Sequence, residues 1–337
     1  MGAVLVTGGT GIVGGHLLLE LAVAGTEVRA LHREGSDRRS VEQVFRHYRP
    51  DADALLKKVE WVPGDLDDVA ALEDAMAGVQ HLYHAAAVVS FDPRDRHALD
   101  RVNRVGTENL VNAALRAGVG RLLHVSSTAT IGNGRPGEAW DEGTPWEEKG
   151  RSPYALSKYA AELEVYRGIA EGLDAVIVNP CVVIGPGAPG RSSMVLAERL
   201  RKGTAYYPPG ANSVVDARDV AACMVRLMRD GGTGERHLLV GASPGYRELF
   251  ASFAQAYGRP VPTRRIPPWA LAMAWRLERV RTLFGGRPLI TRHTAASAIA
   301  HRAYDAAKVK AAIGCTFRGL DEMTRNVADF HAGRRAY

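Results

Sequence analysis

Tyr154-Ala155-Leu156-Ser157-Lys158 sets a phenol and an ammonium four residues apart. On a helix the two share one face, one turn apart. A free phenol titrates at about 10 and exchanges protons poorly at neutral pH. A neighbouring lysine cation favours the phenolate and lowers that value, so the pair suits a carbonyl/alcohol couple. Such a couple needs a further group to hold the substrate oxygen. The run His124-Val125-Ser126-Ser127-Thr128-Ala129 offers three hydroxyls. One of them near Tyr154 would bond that oxygen; the others would satisfy loop backbone groups.

A second constellation lies near the first residue. Thr7-Gly8-Gly9-Thr10-Gly11-Ile12-Val13-Gly14 spaces Gly8, Gly11 and Gly14 three apart. The first glycine permits a tight turn, the second lets a pyrophosphate approach the backbone, and the third lets a helix pack on a sheet. The helix start then offers free N–H groups and a positive dipole end to phosphates. Strand, loop and helix follow in the order a dinucleotide site requires. The second strand ends Leu31-His32-Arg33, without the acidic residue that would bind ribose hydroxyls. Arg33 suits an adenine face and a 2′-phosphate, which favours NADP(H). Glu34 follows at once and keeps NAD(H) as the alternative.

These groups need elements to position them. Short apolar runs alternate with helical patterns, which predicts a parallel sheet covered on both faces. Strands are expected at 4–7, 27–31, 59–63, 80–85, 121–126 and 175–179. Helices are expected at 12–24, 69–77, 100–117 and 153–171, and an amphipathic one at 40–58 broken at Pro50. Beyond Pro180 the pattern becomes turn-rich, with helices at 192–202 and 216–229. A strand at 236–240 rejoins the sheet, and proline-punctuated helices follow from Pro244. The predicted fold is α/β, a Rossmann-type doubly wound sheet with a smaller, mostly helical C-terminal part. The cofactor domain is placed at 1–179, rejoined by about 211–241, and the substrate-binding cap at 180–210 and 242–337.

The chain resembles the extended short-chain dehydrogenase/reductases, in the NAD-dependent epimerase/dehydratase group. The matching pieces are TGGTGIVG at 7–14, GDL at 64–66, HAAA at 84–87 and N-x-x-G-T-x-N at 103–109. VSSTA at 125–129, YALSK at 154–158, NPCVVIGPG at 179–187 and VDARDVA at 215–221 follow. The resemblance implies that Asp65 and Leu66 hold adenine and that Ala85, Ala86 and Ala87 form a small-residue turn under the cofactor. It makes Thr128 the catalytic hydroxyl, with Ser127 the second choice, and Tyr154 and Lys158 the acid/base pair. Gly8, Thr10, Gly11, Ile12, Val13, Gly14, His32, Arg33 and Ser126 join the cofactor set. So do Pro180, Val182 and Val183 beside the nicotinamide. Asn103 stands between a structural and a catalytic role. A homodimer through the helices at 100–117 and 153–171 is implied as well.

Two reactions compete. One is NADP(H)-dependent reduction of a ketone or aldehyde, as in the dihydroflavonol-reductase and 3β-hydroxysteroid-dehydrogenase branches. The other is nucleotide-sugar epimerisation or dehydration with tightly held NAD, for which Arg191 and Arg199 are at hand. Ala129 and Thr130 stand where a dehydratase would carry acids, and Val89, Phe91, Ile131, Met194, Tyr206 and Tyr207 suggest an apolar small-molecule pocket. An assembly role with lost catalysis is disfavoured by the intact Thr128, Tyr154 and Lys158 set.

The 337 residues, 46% hydrophobic and 24% charged, exclude a disordered or fibrous chain. No apolar run reaches the roughly 18 residues of a membrane span, so no membrane partner is expected. Nor is a leader segment expected before the first strand. The net charge of +6 is dispersed and forms no nucleic-acid stripe. Cys181, Cys223 and Cys315 support neither a disulfide framework nor a metal site, which points to a cytoplasmic setting.

Overall fold

The computed structural model describes residues 3–135, 137–191 and 193–337. Seven parallel strands form the central sheet. They are β1 (Ala3–Thr7), β2 (Val28–His32), β3 (Val59–Pro63), β4 (Val79–His84), β5 (Arg121–Val125) and β6 (Ala175–Pro180). Four short strands among the described residues lie outside the sheet: β7 (Val182–Ile184), β8 (Tyr206–Tyr207), β9 (Val214–Asp216) and β11 (Arg264–Arg265). The seventh sheet strand is β10 (Arg236–Leu239).

The spatial order is β10-β6-β5-β4-β1-β2-β3. The chain runs outward from β1 to β3 and returns to β4 on the other side of β1. The crevice between the carboxyl ends of β1 and β4 is therefore where a ligand seats in such a sheet. Both faces are covered, as the near-continuous burial of β5 and β6 requires. On one face the helices Ile12–Val23 and Ala217–Asp230 pack through Leu17, Leu18, Met224 and Leu227. On the other, Val69–Met76, Gly106–Ala117 and Pro153–Ala170 pack through Leu72, Leu110, Val111 and Val165.

Several boundaries move by a residue or two from the expected ones. The helix expected at 192–202 runs Met194–Arg201, and Ser192 lies outside the described residues, as does Met1. The helix expected at 100–117 begins as a π turn, Asp100–Val105, and ends at Gly118 in a left-handed conformation (φ +65°). The 40–58 segment is two helices, Arg39–Tyr48 and Ala52–Leu56. Its inner side holds the C-terminal tail. Nε2 of His47 pairs with Asn326 Oδ1 at 2.9 Å, Asn326 Nδ2 donates to Tyr48 at 2.7 Å, and Ala336 N donates to the His47 carbonyl.

The C-terminal part is interleaved with the sheet more deeply than a separate cap would be. Leu320–His331 packs on Tyr246–Ala256 in a third apolar cluster, through Val327, Met323, Leu249 and Phe253. Tyr304, Val309 and Ile313 instead belong to the core beside the glycine-loop helix.

Candidate active site

The glycine loop is built for close approach. Gly8 has φ +73°, and a Cβ there would lie 2.5 Å from the Ala85 and Ala86 backbone. A Cβ on Gly14 would lie 2.1 Å from the Gly8 carbonyl oxygen. Gly11 caps the helix Ile12–Val23 without a side-chain bond, so the first-turn N–H groups over Ile12 and Val13 stay free for an anion. Thr10 lies in the same turn, and Ser40 and Val41 of the insertion border it.

Beyond β2, Arg33 is exposed, and Arg38 lies over the Trp61 ring at 5.6 Å. Neither has an acidic partner among the described residues, whereas Arg39 is paired with Asp37. His32 donates from Nδ1 to the Arg33 carbonyl at 3.1 Å. Asp65 follows β3, half-buried, while Leu66 is buried against Gly106. Asn109 Nδ2 donates to the Leu66 carbonyl at 2.9 Å.

A buried chain of hydrogen bonds joins β1 and β4 to the π turn. The Thr107 hydroxyl donates to the Asn103 carbonyl at 2.5 Å, so its oxygen accepts from His84 Nε2 at 3.0 Å. That leaves His84 Nδ1 to accept from the Thr7 hydroxyl at 2.7 Å. Burial holds the His84 imidazole neutral, pushed down to about 3, with the Lys158 cation adding to the effect. Asn103 is fully engaged. Its Oδ1 accepts from Val88 N at 2.8 Å, and its Nδ2 donates to the Val88 carbonyl at 3.0 Å and to Ser157 Oγ at 2.9 Å. Asn103 thus ties the turn after β4 to the Tyr154 helix, a positioning role.

Tyr154 and Lys158 lie in the first turns of Pro153–Ala170, whose start is capped by Ser152 accepting from Ala155 N at 3.1 Å. Lys158 is 1% exposed and donates to the Val125 carbonyl at 2.9 Å. Desolvation lowers its ammonium to about 8, with Glu162 pulling the other way. Burial raises the Tyr154 phenol, and the Ser127 hydroxyl within hydrogen-bonding reach lowers it. The Phe91 ring meets the Tyr154 ring edge-on at 5.8 Å.

The three hydroxyls after β5 separate here. Ser126 Oγ is buried with no partner among the described residues. Ser127 caps the 3₁₀ turn Thr128–Thr130 and borders Tyr154. Thr128 is turned to the Tyr304 hydroxyl instead. The group next to Tyr154 is therefore Ser127, the second choice on sequence grounds.

Glu162 was not legible as a site residue, although it sits one turn beyond Lys158. Its Oε1 accepts from Thr130 at 2.8 Å and from Asn179 Nδ2 at 2.5 Å, and Asn179 also donates to the Ser127 carbonyl at 3.2 Å. This buried carboxylate fixes the Ser127 turn against the Tyr154 helix. Pro180 ends β6, and Val182 and Val183 lie half-buried in β7.

The expected apolar pocket is corrected at two positions. Ile131 is fully buried in the sheet core and Met194 in the C-terminal cluster, because both side chains complete packed interfaces. Val89 and Phe91 are open to solvent, Phe91 beside Tyr154. Tyr206 and Tyr207 are taken by arginines, Arg264 at 5.9 Å from the first ring and Arg247 at 5.9 Å from the second.

With this geometry in place, relatives are informative. The model of the NAD dependent epimerase/dehydratase family matches residues 4–241. A "Putative dihydroflavonol 4-reductase" of Synechocystis sp. is 34% identical over 92% of this chain and 88% of its own length. "Sterol demethylase protein B" of Methylococcus capsulatus is 35% identical over 78% of this chain and 77% of its own. Among solved structures, gox2253 superposes with a TM-score of 0.81 at 30% identity, covering 99% of both chains. The UDP-glucose 4-epimerase of Thermus thermophilus, solved with NAD, gives 0.75 at 26% identity over 98% of this chain and 99% of its own.

Proposed function

The chain belongs to the NAD dependent epimerase/dehydratase family, and from that premise we propose that it is an NADP(H)-dependent reductase of a ketone or aldehyde on a small apolar substrate. The observation that carries this reading is the Tyr154 phenol set between Ser127 and Phe91, one turn from the buried Lys158.

The residues present fit a dinucleotide. A side chain at Gly8 or Gly14 would fill the cradle, and the free N–H groups at Ile12 and Val13 suit a diphosphate. Arg33 and Arg38 would hold the 2′-phosphate, Asp65 and Leu66 the adenine end, Ala85–Ala87 the close backbone approach, and Pro180–Val183 the nicotinamide end. The bound cofactor would supply a hydride to the carbonyl carbon. Tyr154 gives its phenolic proton to the carbonyl oxygen, and Ser127 donates a hydrogen bond that orients that oxygen. The buried Lys158, one turn along the same helix and bonded to the Val125 carbonyl, would supply the positive charge that favours release of the proton. Burial keeps the resting phenol protonated, the state a proton donor needs.

The runner-up is an epimerase or dehydratase with retained NAD, favoured by the NAD-bound epimerase among the similar structures. Purified protein assayed with NADPH and with NADH on apolar aldehydes and ketones separates the two. Stoichiometric NAD in the purified protein with no net NADPH consumption would overturn the reductase reading. Tyr154→Phe is expected to retain NADP(H) binding and lose more than about a hundredfold in kcat. Arg33→Asp should weaken NADPH far more than NADH, and equal losses would remove the arginine from phosphate recognition. A homodimer through Gly106–Ala117 and Pro153–Ala170 accompanies this reading, and light scattering tests it.

A further inference from the structure

The helix Pro268–Arg281 and the turn Thr282–Phe284 expose large apolar side chains: Trp269 is 67%, Leu283 79% and Phe284 90% accessible. Trp269, Met273, Leu277 and Val280 are spaced by four, four and three residues, so they form one stripe. Leu271 lies on the opposite side and is the buried residue of the helix. The helix is thus apolar on two faces, one packed and one bare. A contiguous bare patch of this kind marks an interaction surface.

Its charge says what kind. Residues 264–292 contain seven arginines and one glutamate, so this stretch carries the whole net charge of +6 and the rest of the chain balances. The glutamate, Glu278, is bonded by Arg281 at 2.7 Å. Arg265, Arg276, Arg279 and Arg292 have no acidic partner among the described residues. Indole, phenyl and leucyl groups ringed by uncompensated guanidinium groups complement a bilayer bearing anionic headgroups. No helix among the described residues is long and apolar enough to cross a membrane, and surface docking needs none.

The patch also borders the reaction site. Arg94 donates to the Gly286 carbonyl at 2.9 Å, and Arg287 pairs with Asp95 at 3.1 Å. Both bonds fasten the segment to the loop after β4, whose Phe91 stands against Tyr154. We propose that residues 264–292 dock this protein on an anionic lipid bilayer, with the mouth beside Phe91 and Tyr154 turned to the membrane so that a lipid-soluble carbonyl compound can reach it. The docking stands on the patch itself; the choice of substrate rests on the reductase reading. The expectation of no membrane partner rests on the lack of a spanning run, and a docked surface patch requires none.

The test is flotation of the full chain with phosphatidylcholine vesicles, with and without phosphatidylglycerol. Binding is expected only with phosphatidylglycerol present, at least about tenfold tighter than without it, and it should fall as salt is added. The pair Leu283→Ser and Phe284→Ser, and separately Arg279→Gln and Arg292→Gln, should each weaken binding at least about tenfold. Both pairs should leave turnover of a water-soluble ketone unchanged, which shows that the chain still folds. No binding, equal binding to both vesicles, or binding kept by both variant pairs would overturn the proposal. A dimer that the Leu283 and Phe284 pair dissociates, without vesicle binding, would assign the patch to a second copy and overturn it too. Vesicle binding with no carbonyl turnover on any substrate would leave docking standing and sink the reductase reading alone.

Discussion

Ser127 and Thr128 differ by one position and face different partners. Ser127 is held from behind by Asn179, which Glu162 holds in turn, and its hydroxyl borders Tyr154. Thr128 meets Tyr304, a residue delivered from far along the chain and wedged edge-on against Trp140 at 5.5 Å. A hydroxyl that orients the reacting oxygen contributes most in the transition state, so its loss lowers kcat more than it raises KM. Ser127→Ala is therefore expected to cut kcat by roughly a hundredfold, and Thr128→Ala by a much smaller factor. Steady-state kinetics on one ketone decides between them, and the reverse ranking would return the role to Thr128. Sequence alone marks three adjacent hydroxyls because all sit after a buried strand. Which one turns inward depends on Tyr304 and Glu162, and neither is close to that run in sequence.

The elements that carry the site vary in how plainly the sequence announces them. β6 opens on the unbroken apolar run Ala175–Val178, and β5 carries Leu122, Leu123 and Val125, because both faces of each strand are covered. Gly118 and the Ser152-Pro153 cap mark helix ends through chemistry local to a few residues. The π turn at Asp100–Val105 leaves no such mark, since its widening is set by Asn103 reaching both Val88 and Ser157. β7 and β9 pair over three residues each, too short for any periodicity. Ile131 and Met194 show the same limit, because an apolar side chain suits a core and a pocket equally well. The glycine loop is the opposite case, where spacing alone dictates geometry. At Gly14 a Cβ would press within 2.1 Å of the Gly8 carbonyl oxygen, and neither backbone can yield without opening the turn. Gly14→Ala should abolish detectable NADP(H) binding and cost on the order of 2–3 kcal/mol of stability from overpacking. Gly78→Ala is the useful comparison, because its left-handed backbone is strained but nothing lies within 4 Å. It should lose about 1 kcal/mol and leave cofactor binding intact. Equal cofactor affinity in the two variants would show that the Gly14 contact does not shape the site.

Over the whole molecule, the core beneath the site is unusually rich in buried imidazoles. His16 donates from Nδ1 to the Ile12 carbonyl at 2.8 Å, His84 is spanned by Thr7 and Thr107, and the His124 ring lies 5.1 Å from that of His84. Burial is the leading cause that keeps all three neutral. His16 is pushed down to about 4, His84 to about 3, and His124 well below its usual value, with Lys158 opposing a further cation near the last two. In the unfolded chain each imidazole takes a proton at about 6.5. Between that pH and the folded-state values the unfolded chain binds more protons, so stability falls as pH falls. At pH 5 His16 and His84 each withdraw roughly 2 kcal/mol, and His124 acts in the same direction. Two such terms are already a large part of the net stability of a domain. The urea midpoint should therefore drop steeply from pH 7 to pH 5, before most carboxylates titrate. His84→Gln offers no group that charges in this range, so it should flatten the dependence by roughly 2 kcal/mol at pH 5, with His16, His124 and His237 keeping the remainder, while lowering stability at pH 7 through the broken Thr7–His84–Thr107 chain. A urea midpoint that holds steady between pH 7 and pH 5 would show that these imidazoles reach solvent or a proton partner before the fold opens.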